Sequence, residues 1–277
     1  MTRGSREGEP PPAPEPLRVA VADSHCHLDI MGGDVVGQLD AARAVGIDTV
    51  MQIGVDVESS RLGAALAAEH ASVWAAVALH PNEAGRGTAT DDALAEIASL
   101  AGLPQVKAIG ETGLDHFRTG PEGQGMQEAS FRAHIQIAKD SGKALVIHDR
   151  DAHDDVLRVL ASEGAPDTVV FHCFSGDAAM ARLCTDAGYY LSFAGPVTFK
   201  PNDALREAAV VCPADRLLVE TDAPFLTPVP YRGRPNAPYL IPLTVRALAA
   251  ARGDDVDELC TAIAGNAKRA FRLDAAG

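Results

Sequence analysis

The sequence predicts an α/β protein, a (β/α)8 TIM barrel with a metal site at the C-terminal ends of its strands. Three observations lead there. Short β-branched or apolar runs alternate, from Arg18 onward, with segments rich in Ala, Leu, Glu and Arg at helical spacing. Eight such units in about 260 residues match the size and order of this fold. Polar residues able to bind metals close six of the eight runs, at the end of a barrel where active sites gather. A doubly wound open sheet is the competing fold, but no Gly-x-Gly-x-x-Gly turn follows the first run.

The first run, RVAVADSH, carries His25 at its end and His27 two residues on. Residues i and i+2 of a strand share a face, so both imidazoles project together with Val19, Val21 and Asp23. Ala20, Ala22, Ser24 and Cys26 form the opposite face, small enough to pack under helices. QLDAARAVG leads to the second run, DTVMQIGV, and SRLGAALAAEH to the third, SVWAAVALH, which ends at His80 before Pro81. ALAEIASLAG precedes QVKAIGETG with Glu111, and QEASFRAHIQIAKDSG precedes KALVIHDR with His148 and Arg150. TVVFHCFSG then supplies His172 and Ser175, GYYLSFAG follows, and RLLVETDAP brings Glu220 and Asp222. In the loops, Arg150, two residues past His148, and Arg232, shortly after Asp222, are the best phosphate candidates, because a guanidinium fork matches phosphate oxygens. His153, Lys200, Arg234 and Asn236 are further polar loop residues.

A chain of 277 residues with 47% hydrophobic composition can bury a large core. No apolar run approaches the roughly 18 residues of a membrane span, and the N-terminus lacks a signal-peptide core, so a cytoplasmic protein is expected. Five cysteines without a compact framework fit reduced thiols that serve as packing residues. A net charge of -14 opposes coating nucleic acid through a basic surface. Residues 1–17, rich in Pro, Glu and Gly, read as a disordered leader, and residues 18–277 as one barrel domain with no obligate protein partner evident.

His25, His27, Glu111, His148, His172 and Asp222 are too many ligands for one tetrahedral ion with an open position, and they suit two divalent metals. Glu111 is placed to bridge ions about 4 Å apart, and Asp222 to act as both ligand and proton acceptor. Two divalent cations against two carboxylates leave the site locally positive, which favours a phosphate-bearing substrate that enters as an end or a short strand. Mixed His and carboxylate ligation is compatible with zinc, manganese, cobalt, iron or magnesium. Such a site also suits a carbonyl ester or amide, such as a lactone, a small amide or an aminoacyl-tRNA ester. A non-enzymatic metal-binding protein is the remaining class.

The motifs DSHCHLD, ALHPNE, IGETGLD, IHDRDA, FHCFSG, YYLSFAGPVTF, LLVETDAPFL, PVPYRGRPNAP and GNAKRAF resemble the TatD-like metal-dependent hydrolases of the amidohydrolase superfamily. The resemblance implies a (β/α)8 fold, divalent metals and hydrolysis of DNA phosphodiester bonds, in some members from the 3' end of single strands. It marks the same six residues as ligands, places His80 toward substrate phosphate, and assigns Glu111 the bridging part taken elsewhere in the superfamily by a modified lysine. Two positions depart from the pattern: Asp149, where a small hydroxyl residue is common, and His116, where an aromatic is frequent.

Overall fold

Each of the eight apolar runs becomes a strand, and the computed structural model describes residues 8–273. In chain order the elements are β1 (Val21–Cys26), α1 (Leu28–Met31), α2 (Val35–Ala44), β2 (Ile47–Ile53), α3 (Val57–Glu69), β3 (Val73–Val77), α4 (Pro81–Ala84) and α5 (Asp91–Ala101). They continue with β4 (Val106–Asp115), α6 (Pro121–Ser141), β5 (Ala144–Arg150), α7 (His153–Glu163), β6 (Val169–Phe171), α8 (Ala178–Asp186) and β7 (Tyr190–Phe193). The last are α9 (Asp203–Val211), β8 (Leu217–Val219), α10 (Ile241–Arg252) and α11 (Val256–Phe271). The strand order β1-β2-β3-β4-β5-β6-β7-β8, each strand followed by helix, is the topology of a (β/α)8 barrel.

Four helices start where a short polar side chain accepts an orphan N–H: Asp34 before α2, Asp56 before α3 with its own N–H donating back to the Ser59 hydroxyl, Thr90 before α5 and Asp177 before α8. No described helix is long and apolar enough to cross a membrane. Cys26, Cys184, Cys212 and Cys260 are buried and no described cysteine is disulfide-bonded, as packing residues should be.

Described residues within Met1–Gln52 and Gly176–Arg269 form one compact unit, and those within Ile53–Ser175 and Ala270–Gly277 a second. In the first unit β8 returns beside β1. A parallel bridge joins Cys26 to Ala223, the Asp222 N–H donates to the His25 carbonyl at 2.9 Å, and Asp23 accepts from the Thr221 backbone at 2.9 Å and its hydroxyl at 2.5 Å. Ser24 and Ser192 share a 2.8 Å hydroxyl bond between β1 and β7. Both faces of β1 are buried, so the Asp23 and Ser24 side chains are satisfied by neighbouring chain rather than by water.

In the second unit β3 to β6 pair in order. Gly113 sits opposite His148 with φ +137, and a Cβ there would lie 2.1 Å from the His148 carbonyl oxygen. Only glycine allows β4 and β5 to approach this closely beside a candidate ligand.

The expected disordered leader is corrected where it is described. Residues 1–7 lie outside the described residues, but the chain from Glu9 to Leu17 is held against the first unit. Arg234 donates to the carbonyls of Glu9 and Pro10, the Tyr239 hydroxyl to Pro11 and Arg246 to Pro16, and the Leu17 N–H reaches the Val45 carbonyl. Prolines bring no N–H groups of their own, yet their carbonyls remain strong acceptors for long cationic side chains. Composition registers the poverty of apolar groups and misses these acceptors.

Candidate metal centre

In the first unit the ends of β1 and β8 bring three predicted ligands together. His25 is fully buried on β1, and His27 follows one residue after the strand ends, 6% exposed, with the two rings edge to face at 5.2 Å. Asp222 lies beyond β8 in the left-handed region, φ +52, a conformation Asp tolerates better than most residues and one that turns its carboxylate toward the histidines. Its Oδ1 stands 3.5 Å from His27 Nε2 and 3.8 Å from His25 Nε2. Ligand atoms of these three residues all lie within 4.8 Å of one another, a spacing that could hold a cation.

Buried amides fix that frame. Gln52 accepts from the Leu28 N–H and donates to Asp29, holding the turn after His27. Asn236 donates to the carbonyls of Thr221 and Phe225, holding the turn after Asp222. Beneath them, burial drives the Asp23 carboxyl up to about 7 against three hydrogen bonds from Thr221 and His25.

The second unit gathers its donors around Glu111. Glu111 Oε1 lies 2.6 Å from His148 Nδ1, 2.9 Å from His172 Nε2 and 3.2 Å from His80 Nε2. Burial alone would raise this carboxyl, but the surrounding histidines, with hydrogen bonds from His148 and His172, hold it well below the usual range. His148 Nδ1 and His172 Nε2 are 3.3 Å apart, so two ring nitrogens and a carboxylate oxygen converge, a donor set that suits a divalent cation.

His80 differs from the other two. Its Nδ1 accepts the Asn82 N–H at 3.0 Å, which puts the proton of the neutral ring on Nε2, facing Glu111. Burial outweighs Glu111 and lowers its pKa, which favours the neutral ring. It is therefore arranged as a hydrogen-bond donor.

Sequence reasoning gave no part to the residues that hold these ligands from behind. Asp115 faces His148 Nε2 at 3.3 Å and accepts from Asn82 and the Arg118 N–H. Burial opposes its ionisation, but those donors hold it down to about 2. An imidazole with a carboxylate on its far nitrogen is the usual outer support of a metal-binding histidine. His134 on α6, fully buried, donates from Nδ1 to the Ser130 carbonyl and accepts the Leu79 N–H on Nε2, pinning the residue before His80. Asp115 stood in the quoted motif IGETGLD; His134 offered no comparable signal.

The remaining predicted residues divide. Arg150 lies over the Phe117 ring at 4.0 Å, and Arg232 over Phe199 at 4.4 Å. Among the described residues neither guanidinium makes a hydrogen bond or ion pair, so both forks are uncommitted. Ser175 is exposed and donates to the Asp149 carbonyl at 3.3 Å, tying the loop after β6 to the end of β5. Arg234 is committed to the proline-rich segment. Asp149 departs from the expected pattern with a partner, accepting from His153 Nδ1 at 2.7 Å, and that bond raises the His153 pKa. His116 stands 3.9 Å from Asp155.

A (β/α)8 chain that sets histidine and carboxylate donors at its strand ends has the build of a metal-dependent hydrolase. Comparison with known proteins gives the same class. The chain belongs to the TatD family: the TatD related DNase family matches residues 22–272. An uncharacterized metal-dependent hydrolase, TatD, of Mycobacterium tuberculosis is 47% identical over 264 residues, 91% of this chain and 98% of that protein. A protein of Klebsiella pneumoniae named 3'-5' ssDNA/RNA exonuclease TatD is 34% identical over 247 residues, 85% of this chain and 91% of its own. The crystal structure of YJJV, a TatD homologue from Escherichia coli K12, aligns with a TM-score of 0.86 at 27% identity, covering 91% of this chain and 98% of that one.

Proposed function

We propose that this hydrolase cleaves phosphodiester bonds of single-stranded DNA from an end, using two divalent ions. His25, His27 and Asp222 hold one, and Glu111, His148 and His172 the other. The observation that carries the reading is that each unit couples a His/carboxylate donor set with a guanidinium left free for an anion, Arg232 in one and Arg150 in the other. The likeness to a relative named as a single-strand exonuclease points the same way.

A bound divalent ion supplies Lewis acidity that makes water a nucleophile near neutral pH and draws charge from a phosphoryl oxygen. The chain's own groups do the rest. Asp222, partly open at 15% exposure and held by its turn, is the acceptor for the proton of the attacking water. His80, with its proton on Nε2 facing Glu111, turns that one donor to a phosphoryl oxygen when substrate enters. Arg150 and Arg232 take further phosphate oxygens.

The test is hydrolysis of an end-labelled single-stranded oligonucleotide by metal-stripped protein, with and without manganese, magnesium, zinc or cobalt, beside His172→Ala. A ladder should appear only with metal and vanish in the variant. Full activity in excess chelator would sink the reading. A much faster turnover of lactones, amides or aminoacyl-tRNA esters than of any oligonucleotide would replace it with carbonyl hydrolysis.

A further inference from the structure

Most described arginines are anchored. Arg61 meets Glu96, Arg132 meets Glu128 and Glu163, Arg158 meets Glu128 and Asp155, and Arg252 meets Asp254. In a chain with 38 acidic residues, an arginine without a carboxylate needs a reason. Arg150 has none among the described residues, and what holds it is an aromatic ring: the guanidinium carbon lies 4.0 Å from the centroid of Phe117. Phe117 itself is 62% exposed even with the guanidinium over its ring.

The sheet dictates where this pair stands. Asp115 on β4 is paired with Arg150 on β5, and the His116 N–H donates to the Arg150 carbonyl at 2.9 Å, which brings Phe117 level with the end of β5. Arg150 is two residues beyond His148 on one strand, so both side chains leave the same face, about 7 Å apart along it. His148 is part of the Glu111 donor set. An exposed aromatic face and an uncommitted fork thus sit one step outward from a metal-competent cluster. The corresponding ring in the first unit, Phe199 under Arg232, is only partly exposed and offers a shelf for its arginine with less open face.

We propose that Phe117, backed by Arg150, is a nucleobase-stacking platform. An unpaired base next to the scissile phosphate lies on the open face of the ring, and a backbone phosphate takes the Arg150 fork. Every base has a π-face, so the platform reads that a base is present and unstacked rather than which base it is. A base inside a duplex already has neighbours on both faces, so the platform selects single strands and frayed ends. This deepens the nuclease reading above and rests on it.

The test measures binding and cleavage separately. Short 5'-fluorescein-labelled oligonucleotides, intact or with one abasic residue placed successively from each end, are titrated into the full-length protein in chelator, and their cleavage is followed in manganese. One abasic position near an end should weaken binding to the wild type about 5- to 150-fold. Phe117→Ala should weaken binding of the intact strand by a similar factor and show almost no further loss with that abasic strand, while Phe117→Trp should restore the discrimination. Losses that simply multiply, or a Phe117→Ala protein that binds and cleaves like the wild type, would overturn the platform while leaving a cleaving enzyme a nuclease. Base-dependent binding through Phe117 without cleavage in any metal would leave the platform standing and remove the nuclease reading.

Discussion

Around Glu111 three imidazole nitrogens stand 2.6, 2.9 and 3.2 Å from one carboxylate oxygen, whereas around Asp222 the two imidazoles keep 3.5 and 3.8 Å away. The first set holds itself together by hydrogen bonds in a buried setting and is supported by Asp115, Asn82 and His134. The second is spaced too widely for strong hydrogen bonds, carries a carboxylate in left-handed backbone, and opens partly to solvent. One carboxylate is therefore hydrogen-bonded into the fold, and the other is held more loosely and nearer to solvent.

The strongest way to break that contrast is a pair of substitutions. Glu111→Ala and Asp222→Asn should each reduce turnover at least about a thousandfold. Their stabilities should part: losing Glu111 from its buried histidines should cost about 3 kcal/mol, because unpaired polar groups remain in the interior. Asp222→Asn keeps the left-handed turn and should cost under about 1 kcal/mol. Urea unfolding of both variants without metal checks this, and equal losses would dissolve the distinction.

A second test concerns the support beneath His80. Burial lowers the His134 pKa to about 4, well below the ordinary 6.5. Between those values the unfolded chain binds more protons than the folded one, so stability rises with pH across the window and is lost as pH falls from 6.5 toward 4. His134 should account for about 2 kcal/mol between pH 7 and pH 5. His134→Gln should flatten that limb of the stability profile, and an unchanged slope would assign the acid sensitivity to other groups. The smallest expected effect is on Asp115→Asn, which should weaken metal affinity at least about tenfold by loosening His148, as read by chelator competition.

Much of this was legible in the chain. His25, His27, Glu111, His148, His172 and Asp222 were legible at the run ends as one six-residue set for two ions with Glu111 bridging them, but not their grouping, His25 and His27 with Asp222 in one unit and His148 and His172 with Glu111 in the other. Strand periodicity fixes which side chains share a face, and the barrel order fixes which end they occupy. The proton on His80 was not legible, because it depends on a backbone N–H two residues away. Nor was the support from His134, whose Nε2 takes the Leu79 N–H from 55 residues away along the chain. The Phe117 ring beneath Arg150 likewise follows from strand register, which no local pattern reveals. The ordered Glu9–Leu17 segment escaped because composition weighs apolar burial and ignores carbonyl acceptors.

The bonds from Thr221 to Asp23 join residues 198 apart in the chain. A ribosome adding about 5–20 residues per second reaches Thr221 roughly 10–40 s after Asp23. During that interval the first strand has β2 to lean on, while the Asp23 carboxylate waits for donors that have not been synthesised. The nascent chain therefore carries an unfinished seam through most of its translation, and a stall or truncation before β8 leaves a charged group where the finished protein has a dry interior.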